Sequence, residues 1–154
     1  DMLAKQFEER ANALTEAIEK MSDADWKKVT SAEKWPVGVT AHHAAGAHEP
    51  ISGMVKAVAS GQTLPHFTMQ MLDESNAQHA KDFAGCTKAE TIALNKKGTA
   101  TASAIVKGLS DADLGKSGTL LTGMPAMTVQ QIIEGVLINH VNEHLGSIKA
   151  TIGK

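Results

Sequence analysis

The sequence predicts an all-α fold in which four principal helices and one or two short ones pack as a bundle. Apolar residues recur every three to four positions through each long segment, which is the periodicity of amphipathic helices. Several segments open with serine or threonine followed three residues later by an acidic residue or glutamine, a motif that starts helices. No segment shows the convincing apolar–polar alternation of a strand. Together these observations favour a helical bundle.

The first half of the chain contains two of the principal helices. Residues 3–21 form the first, and Ser22 can cap a short helical turn behind it. The second begins at Pro36, which suits the first helical position because it has no N–H, and ends near Gly61. Pro50 lies inside this helix and removes one backbone hydrogen bond, which predicts a kink.

The second half contains the other two principal helices, a further helix and a loop. Thr87 with Glu90, and Thr128 with Gln131, form capping boxes in which the threonine binds a backbone amide and the later side chain reaches back to the threonine. Helices are predicted over residues 69–83, from Thr87 to about residue 109, and over 129–152, with a glycine-rich loop over 115–127 that could close over one end of the bundle.

Length and composition limit the class of protein. A chain of 154 residues is most simply one domain, covering residues 1–154, and can bury a core without disulfides. A net charge of -2 with both signs interspersed predicts no nucleic-acid partner. No apolar run approaches the roughly 20 residues of a membrane span, so no membrane partner is expected. One cysteine among seven methionines suits a reducing, cytoplasmic location.

His140 and His144 are the strongest candidates for a functional site. In a helix they lie one turn apart on one face, with Cβ atoms about 5–6 Å apart, so both imidazoles can bind one metal ion. Ile133, Leu137 and Ile148 continue this face, which predicts that both rings point inward from an apolar stripe. The alternative is that both are hydrogen-bonded core histidines, and a third ligand would decide between the two.

His43 can supply that third ligand. It lies on the apolar stripe of the second principal helix, whereas His42 and His48 are rotated away from it. If the second and last helices are antiparallel, His43 lies at the level of the pair, because each is at a similar distance from opposite helix ends. Three neutral imidazoles suit zinc, nickel or a similar divalent metal. A fourth position left to water or substrate is typical of a catalytic site.

Four further residues are candidates for the surroundings of this metal or for the pocket beside it. Asn76 and His79 can line the cavity from the crossing helix, and His48 can approach it if the helix kinks. Glu143 stands in an H-x-x-E-H pattern that also occurs in metalloproteases, where the glutamate is a general base and a third ligand lies downstream. No His, Asp or Glu follows His144, so Glu143 is a candidate hydrogen-bond acceptor instead.

Two stretches of the sequence resemble the DinB-like superfamily of four-helix-bundle metalloproteins. They are Trp35-Pro36-Val37 followed by His43, and the run from Asn139 to Ile148 in the last helix. The resemblance spans nearly the whole chain and includes residues 109–114 before the final loop. It implies an up-down-down-up bundle in which the second and fourth helices are antiparallel.

The same resemblance implies that His43, His140 and His144 bind a divalent metal. Its characterised members include thiol-dependent isomerases and transferases, in which the metal would lower the pKa of a bound thiol. The first hypothesis is therefore a transferase or hydrolase that uses the metal to activate a low-molecular-weight thiol or water toward a small-molecule electrophile. The second is a non-catalytic, stress-associated bundle that binds metal or another ligand. A homodimer is compatible with both.

Overall fold

Helices occupy most of residues 2–153, which are the residues that the computed structural model describes. Asp1 and Lys154, the ends of the predicted 1–154 domain, lie outside the described residues. The all-α prediction is confirmed, although two short strands, β1 (Ser117–Gly118) and β2 (Met127–Thr128), pair antiparallel in the predicted loop. The helices are α1 (Met2–Lys20), α2 (Asp23–Lys27), α3 (Val37–Gly46), α4 (His48–Ala59), α5 (Met69–Asp82), α6 (Lys88–Lys107), α7 (Asp111–Leu114), α8 (Val129–Ile132) and α9 (Asn139–Ile152).

Four of these units are the principal helices: α1, the α3–α4 pair, α6, and α8 joined to α9 through a π-helical segment, Ile133–Ile138. The first and third run antiparallel. Lys107, at the end of α6, pairs with Glu8 near the start of α1 at 3.3 Å. Asn95, earlier in α6, donates a hydrogen bond to the carbonyl of Ala11, later in α1, at 2.8 Å.

The second and third principal helices run parallel, because Gly46 lies beside Leu94 and the later Glu49 accepts a hydrogen bond from the later Thr101. The second and fourth run antiparallel, since α3 packs on α9 while α4 packs on α8 and the π-helical segment. The predicted up-down-down-up order is therefore confirmed. It places the start of α3 beside α9, where the candidate histidines lie.

Apolar side chains of all four principal helices form one continuous core. A buried polar network ties three of the helices together within it. Asn95 donates to the Ala11 carbonyl at 2.8 Å and to the Thr15 hydroxyl at 2.7 Å, while its own carbonyl oxygen lies 2.7 Å from Nε2 of His48. Each polar atom of the Asn95 amide thus has a partner inside the core, as a buried amide requires.

The second principal helix is interrupted at Ala47, close to the kink predicted from Pro50. Pro36 precedes the first helical residue, Val37, by one position and is the N-cap instead. After this interruption His48 lies in the core, where it is 1% exposed, although its position on a regular helix is rotated away from the apolar stripe. A regular helical wheel cannot describe this segment because its two halves have different axes.

Capping predictions in the other helices hold with one exception. Both halves of the capping box form at Thr128, whereas at Thr87 only the hydroxyl half does, with the Glu90 amide 3.1 Å from the Thr87 oxygen. Ser22 caps α2 as predicted and forms a full capping box with Asp25.

The π-helical segment changes the face that the last helix buries. A π-helical turn holds more residues than an α-helical turn, so it rotates the residues that follow around the axis. His140 and His144 are partly buried and lie at the edge of the apolar stripe. The stripe passes through residues that are all 0% exposed: Leu137, Val141, Leu145 and Ile148.

Over residues 2–153, no helix combines the length and the apolar character needed to cross a membrane.

Candidate metal centre

His43 of α3 and His140 and His144 of α9 converge where these antiparallel helices cross. One nitrogen from each ring lies within 4.8 Å of the corresponding nitrogens of the other two. The Nε2 atoms of His43 and His140 are 3.1 Å apart. The ring centroids of His140 and His144 are 4.5 Å apart, which reflects their one-turn spacing. Among the described residues, this is the group of His, Cys, Asp and Glu side chains whose geometry could hold a metal ion.

Burial keeps two of these imidazoles neutral. It lowers the pKa of His43 to about 4, with a further contribution from the neighbouring His144. It lowers the pKa of His140 to about 3, again with His144 as the second cause. A neutral imidazole is the form that ligates metals, so both side chains are ready for an ion at neutral pH.

Glu33 fixes the third ring. His144 donates from Nδ1 to one carboxylate oxygen of Glu33 at 2.7 Å, and Ser147 donates to the other at 2.6 Å. Burial alone would raise the pKa of Glu33, but these hydrogen bonds outweigh it and hold that pKa below its usual value. The carboxylate therefore accepts both hydrogen bonds, and Nε2 of His144 carries a lone pair that is available to an ion.

A tight loop delivers Glu33 to α9. Val29 and Pro36 form an isolated antiparallel bridge, and the amide of Thr30 donates to the carbonyl of Trp35 at 2.8 Å. Lys34 has φ of 64°, a left-handed conformation that is uncommon outside glycine. Such strain is maintained only where the surrounding structure fixes it, and here the loop is fixed beside the three histidines.

A second pair of histidines lies next to His43. Nδ1 of His42 is 2.8 Å from Nε2 of His79 on α5, and the ring of Phe83 stacks on His42 with centroids 4.1 Å apart. The His79 ring is 5.6 Å from the His43 ring, centroid to centroid. His42, which is rotated away from the apolar stripe on the helical wheel, is 7% exposed because His79 of α5 and Phe83 pack against it.

The other predicted surrounding residues lie in different environments. His48 is bonded to Asn95 in the core and packs edge-on against Phe7. Glu143 is exposed and accepts a hydrogen bond from Asn139 at 2.9 Å, so the carboxylate at the site is Glu33 instead. Asn76 is partly buried on α5, three positions before His79.

The three nitrogens fit a divalent ion. Zinc–nitrogen bonds of about 2.0–2.1 Å bring donor nitrogens to about 3–4 Å from one another, which the observed cluster reaches with small side-chain shifts. Without an ion, one of the facing Nε2 atoms of His43 and His140 must carry a proton and donate it to the lone pair of the other. Nδ1 of His140 is buried with no hydrogen-bond partner among the described residues, whether or not Nε2 binds an ion. An ion would use both Nε2 lone pairs at once.

Nothing in the sequence pattern identifies Glu33 or the inward orientation of His42. Glu33 reaches the site through a loop whose conformation depends on its tertiary contacts, and an acidic residue in a loop is ordinarily solvated. Ser147, one turn after His144 on the same face, is the one sequence feature that agrees with a shared acceptor for both side chains.

Comparison with known proteins matches residues 6–148 to the DinB superfamily. Among solved structures, this chain is similar to YfiT from Bacillus subtilis, described as a probable metal-dependent hydrolase with an unusual four-helix bundle topology. The TM-score is 0.77 at 19% identity, and the match covers 99% of this chain and 87% of that chain. At this identity the likeness shows the fold.

The chain is also similar to the mycothiol-dependent maleylpyruvate isomerase, with a TM-score of 0.75 at 10% identity. A histidine-to-alanine variant of that isomerase matches with a TM-score of 0.76 at 9% identity. Both matches cover 96% of this chain and 59% of the isomerase, so this chain spans about three-fifths of the isomerase's length. The sequence has no significant match among curated proteins.

Proposed function

This chain belongs to the DinB superfamily, and from that premise we propose that it is a metal-dependent enzyme whose His43, His140 and His144 hold one divalent ion, zinc or nickel. The observation that carries the proposal is the convergence of three imidazoles, two of them with strongly lowered pKa values, beside a carboxylate that orients the third. The names of the similar structures, a probable hydrolase and a thiol-dependent isomerase, support this class of activity.

The number of protein ligands favours catalysis over a purely structural ion. A structural zinc site takes four protein ligands. The candidates for a fourth are otherwise engaged: His42 contacts His79, His48 is bonded to Asn95, and Glu143 is exposed and accepts a hydrogen bond from Asn139. Three ligands leave at least one position for water, a thiol or substrate.

The protein's own residues would prepare this position. A bound divalent ion supplies Lewis acidity, which lowers the pKa of a coordinated water or thiol toward neutrality. His43 and His140 remain neutral and keep their lone pairs on the cluster. Glu33 holds the His144 ring so that Nε2 faces the cluster. The activated water or low-molecular-weight thiol would then attack a small electrophilic substrate.

The experiment compares metal-loaded and metal-free protein in two reactions at neutral pH: addition of 2-mercaptoethanol to small electrophiles, and hydrolysis of small esters and amides. We expect turnover only in the metal-loaded protein, and its loss in His140→Ala but not in the exposed-loop variant His66→Ala. Stoichiometric metal binding without turnover in any reaction would contradict catalysis and leave a non-catalytic metal-binding bundle.

A further inference from the structure

The His42–His79 pair is the part of the site that metal ligation does not use. His79 belongs to α5, which follows the second principal helix in the chain and packs on α3, and no residue of α5 is buried. Of the two ring nitrogens of His79, Nε2 has a hydrogen-bond partner, Nδ1 of His42 at 2.8 Å. Nδ1 of His79 is buried and has no partner among the described residues.

An unpartnered buried nitrogen is costly, and proteins keep such groups where a ligand or water satisfies them. The His79 ring lies beside His43, with centroids 5.6 Å apart, so this ring is next to one of the candidate metal ligands. The same ring is held by Phe83, whose centroid is 4.9 Å away, and by His42. The ring that carries this nitrogen is therefore held next to the cluster.

The contact between His42 and His79 allows either ring to donate, and we take the arrangement in which His42 is the donor. When Nδ1–H of His42 donates to Nε2 of His79, the neutral His79 ring carries its proton on Nδ1. In that arrangement the N–H is a hydrogen-bond donor without an acceptor in residues 2–153. A donor in this place suits an anionic oxygen or sulfur atom, because hydrogen bonds to charged acceptors are the stronger ones.

We propose that His79, positioned by His42, donates a hydrogen bond from Nδ1 to the anionic oxygen or sulfur atom of a small ligand bound at the His43–His140–His144 centre. Helix α5 thereby supplies one wall of the binding site. This inference rests on the proposed function, because it requires an ion in that centre. The His79 ring is not itself a metal ligand in this arrangement.

The test uses cobalt(II) in place of the native ion and 2-mercaptoethanol as the anionic ligand, followed by visible absorption. Two variants separate a hydrogen-bond donor from a packing residue. His79→Phe keeps the aromatic contacts with His42 and Phe83 but has no N–H. His79→Asn loses the ring but places an amide near the position of Nδ1. His66→Ala, in an exposed loop, is the matched control.

We expect all proteins to bind cobalt(II) within about twofold of one another. His79→Phe should then bind 2-mercaptoethanol about five- to tenfold more weakly than the wild type, the effect of one lost hydrogen bond. His79→Asn should retain most of the affinity. The reverse order, with His79→Phe unaffected and His79→Asn impaired, would show a packing role and overturn the inference. Loss of cobalt in both His79 variants would also overturn it, whereas wild-type protein that binds no cobalt would refute the proposed function itself.

Discussion

At the scale of single residues, Glu33 determines which nitrogen of His144 faces the metal centre. Substitution Glu33→Gln keeps the side-chain shape but removes the charge that accepts from His144 and Ser147. We expect zinc affinity to fall about 10–100-fold, the usual effect of losing the partner of a metal-binding histidine. Competition with a chromophoric chelator measures it. Glu143→Gln, at an exposed position of α9, the helix that carries His144, is the control and should bind zinc as the wild type does.

His43 and His140 should also make the metal-free protein sensitive to acid. Their pKa values are about 4 and about 3 in the folded protein, below the ordinary value of 6.5. The unfolded chain therefore binds more protons than the folded protein below pH 6.5, and the free energy of unfolding falls as the pH drops toward 4. Each histidine contributes at most about 1.4 kcal/mol per pH unit.

Urea denaturation of the metal-free protein at pH 7, 6 and 5 measures this dependence. A protein carrying both His43→Gln and His140→Gln should lose part of the slope in that range, because burial also lowers the pKa values of His42, His48 and His79. Equal slopes in the wild type and in this double variant would show that other groups cause the acid sensitivity.

At the scale of elements, the Asn95 network holds the first three principal helices in register. Asn95→Ala would leave Nε2 of His48 buried without its acceptor and remove two donors to α1. We expect a loss of roughly 2–4 kcal/mol in the free energy of unfolding, because stranded buried groups carry their full desolvation cost. Thr101→Ala removes an exposed hydroxyl from the same helix and should change stability by less than about 0.5 kcal/mol. Similar losses in both variants would contradict this role for the network.

The elements themselves are largely predictable from the sequence, because their signals are local. Ser22 and Thr128 form the capping boxes or caps expected of them, and helix boundaries agree within a few residues. The interruption at Ala47 and the π-helical segment Ile133–Ile138 are not predictable in this way. Both change the direction of later side chains, which is why His48 is buried and His140 lies at the edge of the apolar stripe.

At the scale of the whole molecule, the up-down-down-up order follows from the family resemblance and not from periodicity. Periodicity finds helices but does not say which ones are neighbours. The convergence of His43 with His140 and His144 depends on the antiparallel crossing of α3 and α9. The similar distances of His43 and of the histidine pair from opposite helix ends predict this convergence. Glu33 and the burial of His42 could not be anticipated, because a loop carries Glu33 to the site and α5 covers His42, both through long-range contacts. The homodimer remains a prediction.

The most direct measurement is the metal content of untagged protein, purified without added metal and then incubated with zinc or nickel and desalted. The three-histidine centre predicts about one equivalent of ion in the wild type and in His66→Ala. It predicts loss of that ion in His43→Ala, His140→Ala and His144→Ala, each with its helical fold retained by circular dichroism. Wild-type protein that holds no ion after incubation, or variants that keep a full equivalent, would contradict the central claim.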